Sequence, residues 1–177
     1  MTTYAIGQQS FSVPPNQAYP GDYYGLPGVP GTSTAETGFI AATDIGVGKF
    51  AWVVNATPNL VTQLKGTNTR AVFIPRSNDN TYSNADLAQG WSFTVPANYQ
   101  VKGAANGSFY AAVTTPNAGG TVLVDDAVYI KEADGNVVVA TTSPGAGYYD
   151  TGYKVAKPSV PNSFGVLMVV ITNVGAI

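Results

Sequence analysis

Proline and glycine set the terms for this chain. Twelve prolines and twenty glycines interrupt it so often that the longest apolar run is Val166 to Ile171. Proline removes a backbone donor and fixes φ, while glycine invites reversal, so long helices are excluded and short strands between turns remain. The run itself is far too short to span a bilayer. Strand candidates are Gly46 to Asn55, Ala71 to Ile74, Trp91 to Val95, Tyr99 to Lys102, Ser108 to Thr114 and Gly120 to Val124. Ala127 to Lys131, Asn136 to Thr141, Tyr153 to Ala156 and Gly165 to Asn173 complete the set. About ten short strands at this spacing predict an all-β fold, a single small β-barrel or a jelly-roll-like sandwich. Asp134-Gly135 supplies the positive φ of a hairpin turn. Asn84 to Gln89, with Asn84 or Ser83 as cap and Gly90 as stop, is the one plausible helical turn.

The first 34 residues read differently. Pro14-Pro15, Tyr19-Pro20-Gly21 and Leu26-Pro27-Gly28-Val29-Pro30-Gly31 predict an extended arm over residues 1–34, ahead of a β domain over 35–177. Tyr4, Phe11, Tyr19, Tyr23, Tyr24 and Leu26 are costly to leave in water, so the arm is expected to lie on its own domain or on a neighbour.

The chain has no His and no Cys, which removes the usual neutral-pH base, the thiolate nucleophile and the common transition-metal ligands. Charged residues make up only 10%, against roughly 25% in an ordinary soluble domain. The eight basic residues are scattered singly, so there is no stripe to neutralise phosphates and nucleic-acid binding is not expected. Met1 to Gln9 lacks the charged start and apolar run of a signal peptide, which predicts a protein made in the cytoplasm. Among the carboxylates, Asp125 and Asp126 would point to opposite faces if they lay on a strand, and a strand end or turn with solvated carboxylates is the expected arrangement. Glu132-Ala133-Asp134-Gly135-Asn136 resembles half a calcium loop but has no downstream bidentate Glu. No catalytic residue, cofactor or metal site is assigned, and an enzyme is not expected.

Trp52, Phe73, Phe93, Val128, Val138 and Val169 each lie in an apolar strand candidate and are expected to share one core. Tyr19, Tyr23, Tyr24 and Leu26 in the arm, with Tyr148 and Tyr149 between glycines, are the candidate partner-binding residues, since exposed tyrosine is more often used at interfaces.

The order of several segments resembles the cement, or decoration, proteins of tailed bacteriophages. They are Ala18-Tyr19-Pro20-Gly21, Ile45-Gly46-Val47-Gly48-Lys49-Phe50-Ala51-Trp52-Val53, Asp126-Ala127-Val128-Tyr129-Ile130 before the hairpin, and Phe164-Gly165-Val166-Leu167-Met168-Val169-Val170-Ile171. The Pro/Gly-rich stretch Pro20 to Gly31 and an insertion-like region from Asn78 to Gly90 depart from that pattern. The resemblance implies a structural virion protein on the capsid surface, self-associating as a dimer or trimer and bridging major capsid proteins, with no nucleic-acid or membrane partner. Two rivals remain on sequence alone. One is a carbohydrate-binding module on a tail fibre using Trp91, Tyr148 or Tyr149, and the other is an adhesin- or pilin-like subunit whose arm is a donated strand.

Overall fold

In a computed structural model, residues 19–24, 33–76, 93–115, 121–160 and 167–173 are described. They form eleven strands and no helix: β1 (Ser33–Ala41), β2 (Ile45–Gly46), β3 (Phe50–Val53), β4 (Leu60–Thr62), β5 (Arg70–Phe73), β6 (Thr94–Val95), β7 (Gln100–Thr115), β8 (Ala127–Lys131), β9 (Val137–Ala140), β10 (Tyr148–Val160) and β11 (Leu167–Asn173). The predicted turn at Asn84 to Gln89, and Trp91, lie outside the described residues.

The architecture is a closed barrel with extra strands, and β7 is its common stave. One circuit of hydrogen-bonded neighbours runs β7, β11, β10, β8, β9 and back to β7. A second runs β7, β5, β3, β4, β1 and again returns to β7, with β1 and β4 parallel. One edge of β7 meets β5 at Ala104 and then β11 from Gly107 to Val113. Its other edge meets β1 from Gln100 to Gly107 and β9 at Val113 and Thr115. β2 and β6 form a separate small ladder.

Two cores follow from the two circuits. Phe50, Trp52, Phe73, Phe109, Val128, Ile130, Tyr153 and Val169 fill the first. Phe39, Val53, Val61, Val72, Ile74, Phe93 and Val101 belong to the second. The strands β3 and β5 form the wall between them. Phe50 and Trp52 serve one core while Ala51 and Val53 serve the other, which is why this segment is apolar at every position and its alternation is blurred. The expected single core is therefore corrected. Phe93 belongs to the second core, and Val138 packs with Tyr129 and Ala140 in a separate cluster.

Along β7 the side chains change allegiance part-way. Val101 faces the second core and Ala104 the first, yet Phe109, Ala111 and Val113 face the first core with the opposite parity. The cause is a bulge: Ala35 pairs with Ala104 and Thr34 with Asn106, leaving Ala105 as the extra residue. An extra residue in a ladder inverts every later side chain. Its unpaired carbonyl is not left bare, because the buried Tyr153 hydroxyl donates to the Ala105 oxygen at 3.1 Å. Small side chains are required beside it. A Cβ on Gly103 would lie 2.9 Å from Val72 Cγ2 and 3.1 Å from the Phe39 ring.

Several strand bounds differ from the sequence reading. Tyr99 to Lys102 and Ser108 to Thr114 are one strand, joined through Gly103 to Gly107. Gly46 to Asn55 is two strands, split by a turn whose Gly48 has φ of 75°. Residues 121–126 form a turn, not a strand. The polar β1 and the short β4 lie where no strand was expected. The Asp134-Gly135 hairpin is present, with Gly135 at φ of 68° between β8 and β9.

Two outcomes follow from the bulge. Gly103→Ala should destabilise the fold by about 1–3 kcal/mol in urea unfolding, because the facing Val72 is β-branched and stiff; unchanged stability would mean that the two cores do not meet as closely as described. Burial pushes the Tyr153 phenol well above its ordinary value of 10.0. A phenol whose folded value is raised contributes stability that is fully present below about pH 10 and is lost as pH climbs from there toward the folded value. Thermal melts should therefore fall steeply above about pH 10. Tyr153→Phe should flatten that fall while lowering neutral-pH stability by about 1–3 kcal/mol, since it strands the Ala105 carbonyl.

Candidate functional site

The described part of the arm, Tyr19–Tyr24, is a short strap laid along β7. Its backbone continues the ladder on the same edge that β1 uses. Tyr110 N–H donates to the Asp22 carbonyl, and Gly21 and Tyr24 N–H donate to the carbonyls of Tyr110 and Ser108, at 2.8–2.9 Å. Tyr23 pairs with Phe109 in antiparallel register. Arg76 N–H donates to the Gly21 carbonyl at 2.8 Å from the other side.

Side chains finish the attachment. Asp22 accepts from Arg76 at 3.1 Å through one oxygen and from Tyr19 N–H at 3.0 Å through the other. The Arg76 guanidinium lies 4.7 Å from the centre of the Tyr19 ring and 5.1 Å from that of Phe93. Tyr19 thus packs on the second core, and Tyr23 packs on the first through Phe109, ring centres 5.1 Å apart. Pro20 and Gly21 interlock with the Val47-Gly48 turn. A Cβ on Gly48 would sit 2.5 Å from Pro20 Cβ, and one on Gly21 would sit 2.8 Å from Val47 Cγ1. These are two of the segments that carried the sequence resemblance, and here they touch. Tyr24 remains exposed, edge-on to Tyr110. Burial first, then the neighbouring Tyr24 and Asp22, push the Tyr110 phenol up.

Tyr148 and Tyr149 lie at a different place, where β8 and β10 pair. Tyr149 is half-buried, its ring meeting Trp52 at 5.0 Å and its hydroxyl donating to the Thr69 carbonyl at 3.2 Å. Tyr148 packs against the Tyr129 cluster and lines a shallow cleft with Lys65, Lys131 and Glu132. Lys65 pairs with Glu132 across that cleft and holds its ammonium 5.6 Å from the centre of the Trp52 ring. Below it the Trp52 indole N–H is buried with no acceptor. The structure therefore splits the six expected contact residues. Tyr19, Tyr23 and Tyr24 form one group, Tyr148 and Tyr149 another, and Leu26 lies outside the described residues.

Asp126 is buried rather than solvated, because its carboxylate accepts from Leu123 N–H at 2.8 Å and closes the 121–126 turn. Asp125 sits beside it at φ of 69°. Asp134 accepts from Asn136 N–H and pairs with Lys131, as a hairpin carboxylate does. Among the described residues no group of three or more His, Cys, Asp or Glu side chains could hold a metal ion, and no helix is long and apolar enough to cross a membrane. Sequence reasoning missed the exposed apolar residues Leu64, Tyr99, Leu123 and Val124. Leu123 and Val124 lie in a turn where the sequence predicts a strand, and the adjacent acidic pair Asp125-Asp126 is the available signal against that strand.

No curated protein matches the chain in sequence. A solved chain from the capsid of Myoviridae phage XM1 shares its fold, with a TM-score of 0.57 at 14% identity over 95% of each chain. A family model described as the XM1 gp53 minor capsid protein matches residues 7–169. The chain thus belongs to the XM1 gp53 minor capsid protein family and is a structural protein of a tailed-phage capsid.

Proposed function

We propose that the chain is a cement protein: it binds the outside of the phage head and bridges neighbouring major capsid proteins. The observation that carries this reading is the family match over residues 7–169. What supports the finer role is the kind of surface the fold presents. Exposed Leu64, Tyr99, Leu123 and Val124 and the strap residue Tyr24 lie on loops and strand ends, the arrangement suited to flat protein contacts. Tyr149, one of the platform residues of the carbohydrate-binding alternative, packs edge-on against the buried Trp52 and spends its hydroxyl on the Thr69 carbonyl.

The mechanism is mass action. A ligand that binds only the assembled lattice stabilises that lattice by its binding free energy, and many copies on one shell multiply a modest contact. In this reading the protein is made in the host cytoplasm, associates with itself as a dimer or trimer, and has neither a nucleic-acid nor a membrane partner.

The test is survival of capsids under heat and low ionic strength with and without added protein, beside a polysaccharide-hydrolysis screen. Added protein should extend survival, and no glycan should be cleaved. Unchanged survival together with turnover abolished by Glu132→Gln would overturn the reading. Binding should weaken only modestly between low and physiological salt, because the eight cations are dispersed and offer no large counterion-release term. Tyr99→Ala, at an exposed tyrosine away from the strap, should weaken capsid binding about tenfold, about 1.4 kcal/mol, as loss of an interfacial tyrosine does.

A further inference from the structure

The strap and β1 are two pieces of one interrupted edge strand. Both run antiparallel to β7 on the edge opposite β11, since Gly107 pairs with Asn173 of β11 and also with Ser33 of β1, and Phe109 pairs with Ile171 of β11 and also with Tyr23 of the strap. Tyr24 bonds to Ser108, and Ser33 pairs with Gly107, the next residue along. A single peptide step would join those positions. The chain instead spends residues 25–32 between them. Eight residues can extend roughly 26–29 Å.

Attachment of the strap to its own β7 does not need that length. Such length is what exchange between copies requires. The slot needs an occupant, because without one Phe109 loses its Tyr23 cover and the Tyr110 and Ser108 backbone groups lose their partners. The attachment is short, specific and identical in every copy: three backbone bonds to β7, one to Arg76, and the Asp22–Arg76 pair. A strap from a neighbour would therefore satisfy the slot as well as the chain's own. We propose that the β7 slot between Gly107 and Ala111 receives the Tyr19–Tyr24 strap of a second copy when copies are crowded together. Crowding must compete with the effective concentration of a strap tethered to its own β7 by eight residues, roughly millimolar for so short a tether. A decorated capsid supplies it, so the setting, though not the slot, rests on the function proposed above.

The wild-type chain has no cysteine, which makes the test clean. Tyr24 and Ser108 are opposite each other in the ladder, and such positions lie within disulfide reach. Full-length Tyr24→Cys and Ser108→Cys variants are mixed, bound to capsids and oxidised. Mixed disulfide dimers are expected from the mixture, with few from either variant alone. The double variant should close on itself when dilute and form covalent dimers on capsids. Closure within one chain in both settings, with no dimer from the mixture, would overturn the proposal.

A charge exchange checks the same point without cysteine. Asp22→Arg and Arg76→Asp each mispair within their own chain but match across two chains. Each alone should decorate capsids several-fold less than wild type, and an equal mixture should recover. A mixture no better than the average of the two would contradict exchange. Should wild-type protein fail to bind capsids at all, the cement reading falls. The single-cysteine mixture at millimolar protein then decides exchange by itself, with dimers supporting it and their absence refuting it.

Discussion

One hydrogen bond, from the Tyr153 hydroxyl to the Ala105 carbonyl, sits where the two halves of the molecule meet. A strand of sixteen residues cannot serve two cores with one phase, because side chains alternate strictly along it. The bulge at Ala105 resets that phase, so Val101 faces one core and Phe109 the other. A bulge frees a carbonyl that must find a donor in the interior, and Tyr153 on β10 provides it. Around this point the residues are small by necessity. Gly103, Ala104 and Ala105 leave room for Phe39 and Val72 on one side and for the aromatic stack of Phe50, Phe73 and Phe109 on the other.

The same arrangement explains why the arm is attached where it is. β7 has β1 on one stretch of its edge and β9 on another, and the gap between them is covered by the strap. Tyr19 and Tyr23 each close one core, so the strap reads as part of both. Its latch is modest. The Asp22–Arg76 pair is about one-third exposed on each side, and exposed pairs of this kind contribute about 0–1 kcal/mol. Backbone pairing and ring packing hold the strap, and the ion pair sets its register.

How much of this was legible in the sequence depends on whether the signal was local. Runs such as Ala127 to Lys131 and the Asp134-Gly135 hairpin appear as read, because turn chemistry and β-propensity agree there. β7 was read as two strands because Gly103 to Gly107 has poor local β-propensity, and only the meeting of two cores calls for small residues at that place. β1 was missed for a related reason: Ser33–Ala41 is largely polar and is held in the sheet by its partners. The single expected core became two because a β3 segment apolar at every position cannot say which neighbours lie on each side. Among the contact residues, the aromatic character of Tyr19 and Tyr23 is visible in the sequence and docking on their own domain is one of its two expectations, but their places along β7 are not. That follows from the register with β7, which no local pattern encodes.

Membership of the minor capsid family gives the fold a setting, and the proposed cement role is a claim about location as much as energy. Cryo-electron microscopy of the purified particle tests it most directly. The account predicts density for the paired β circuits on the outer face of the head, seated over junctions between major capsid proteins. Density on the inner face, or on the tail with none on the head, would contradict it.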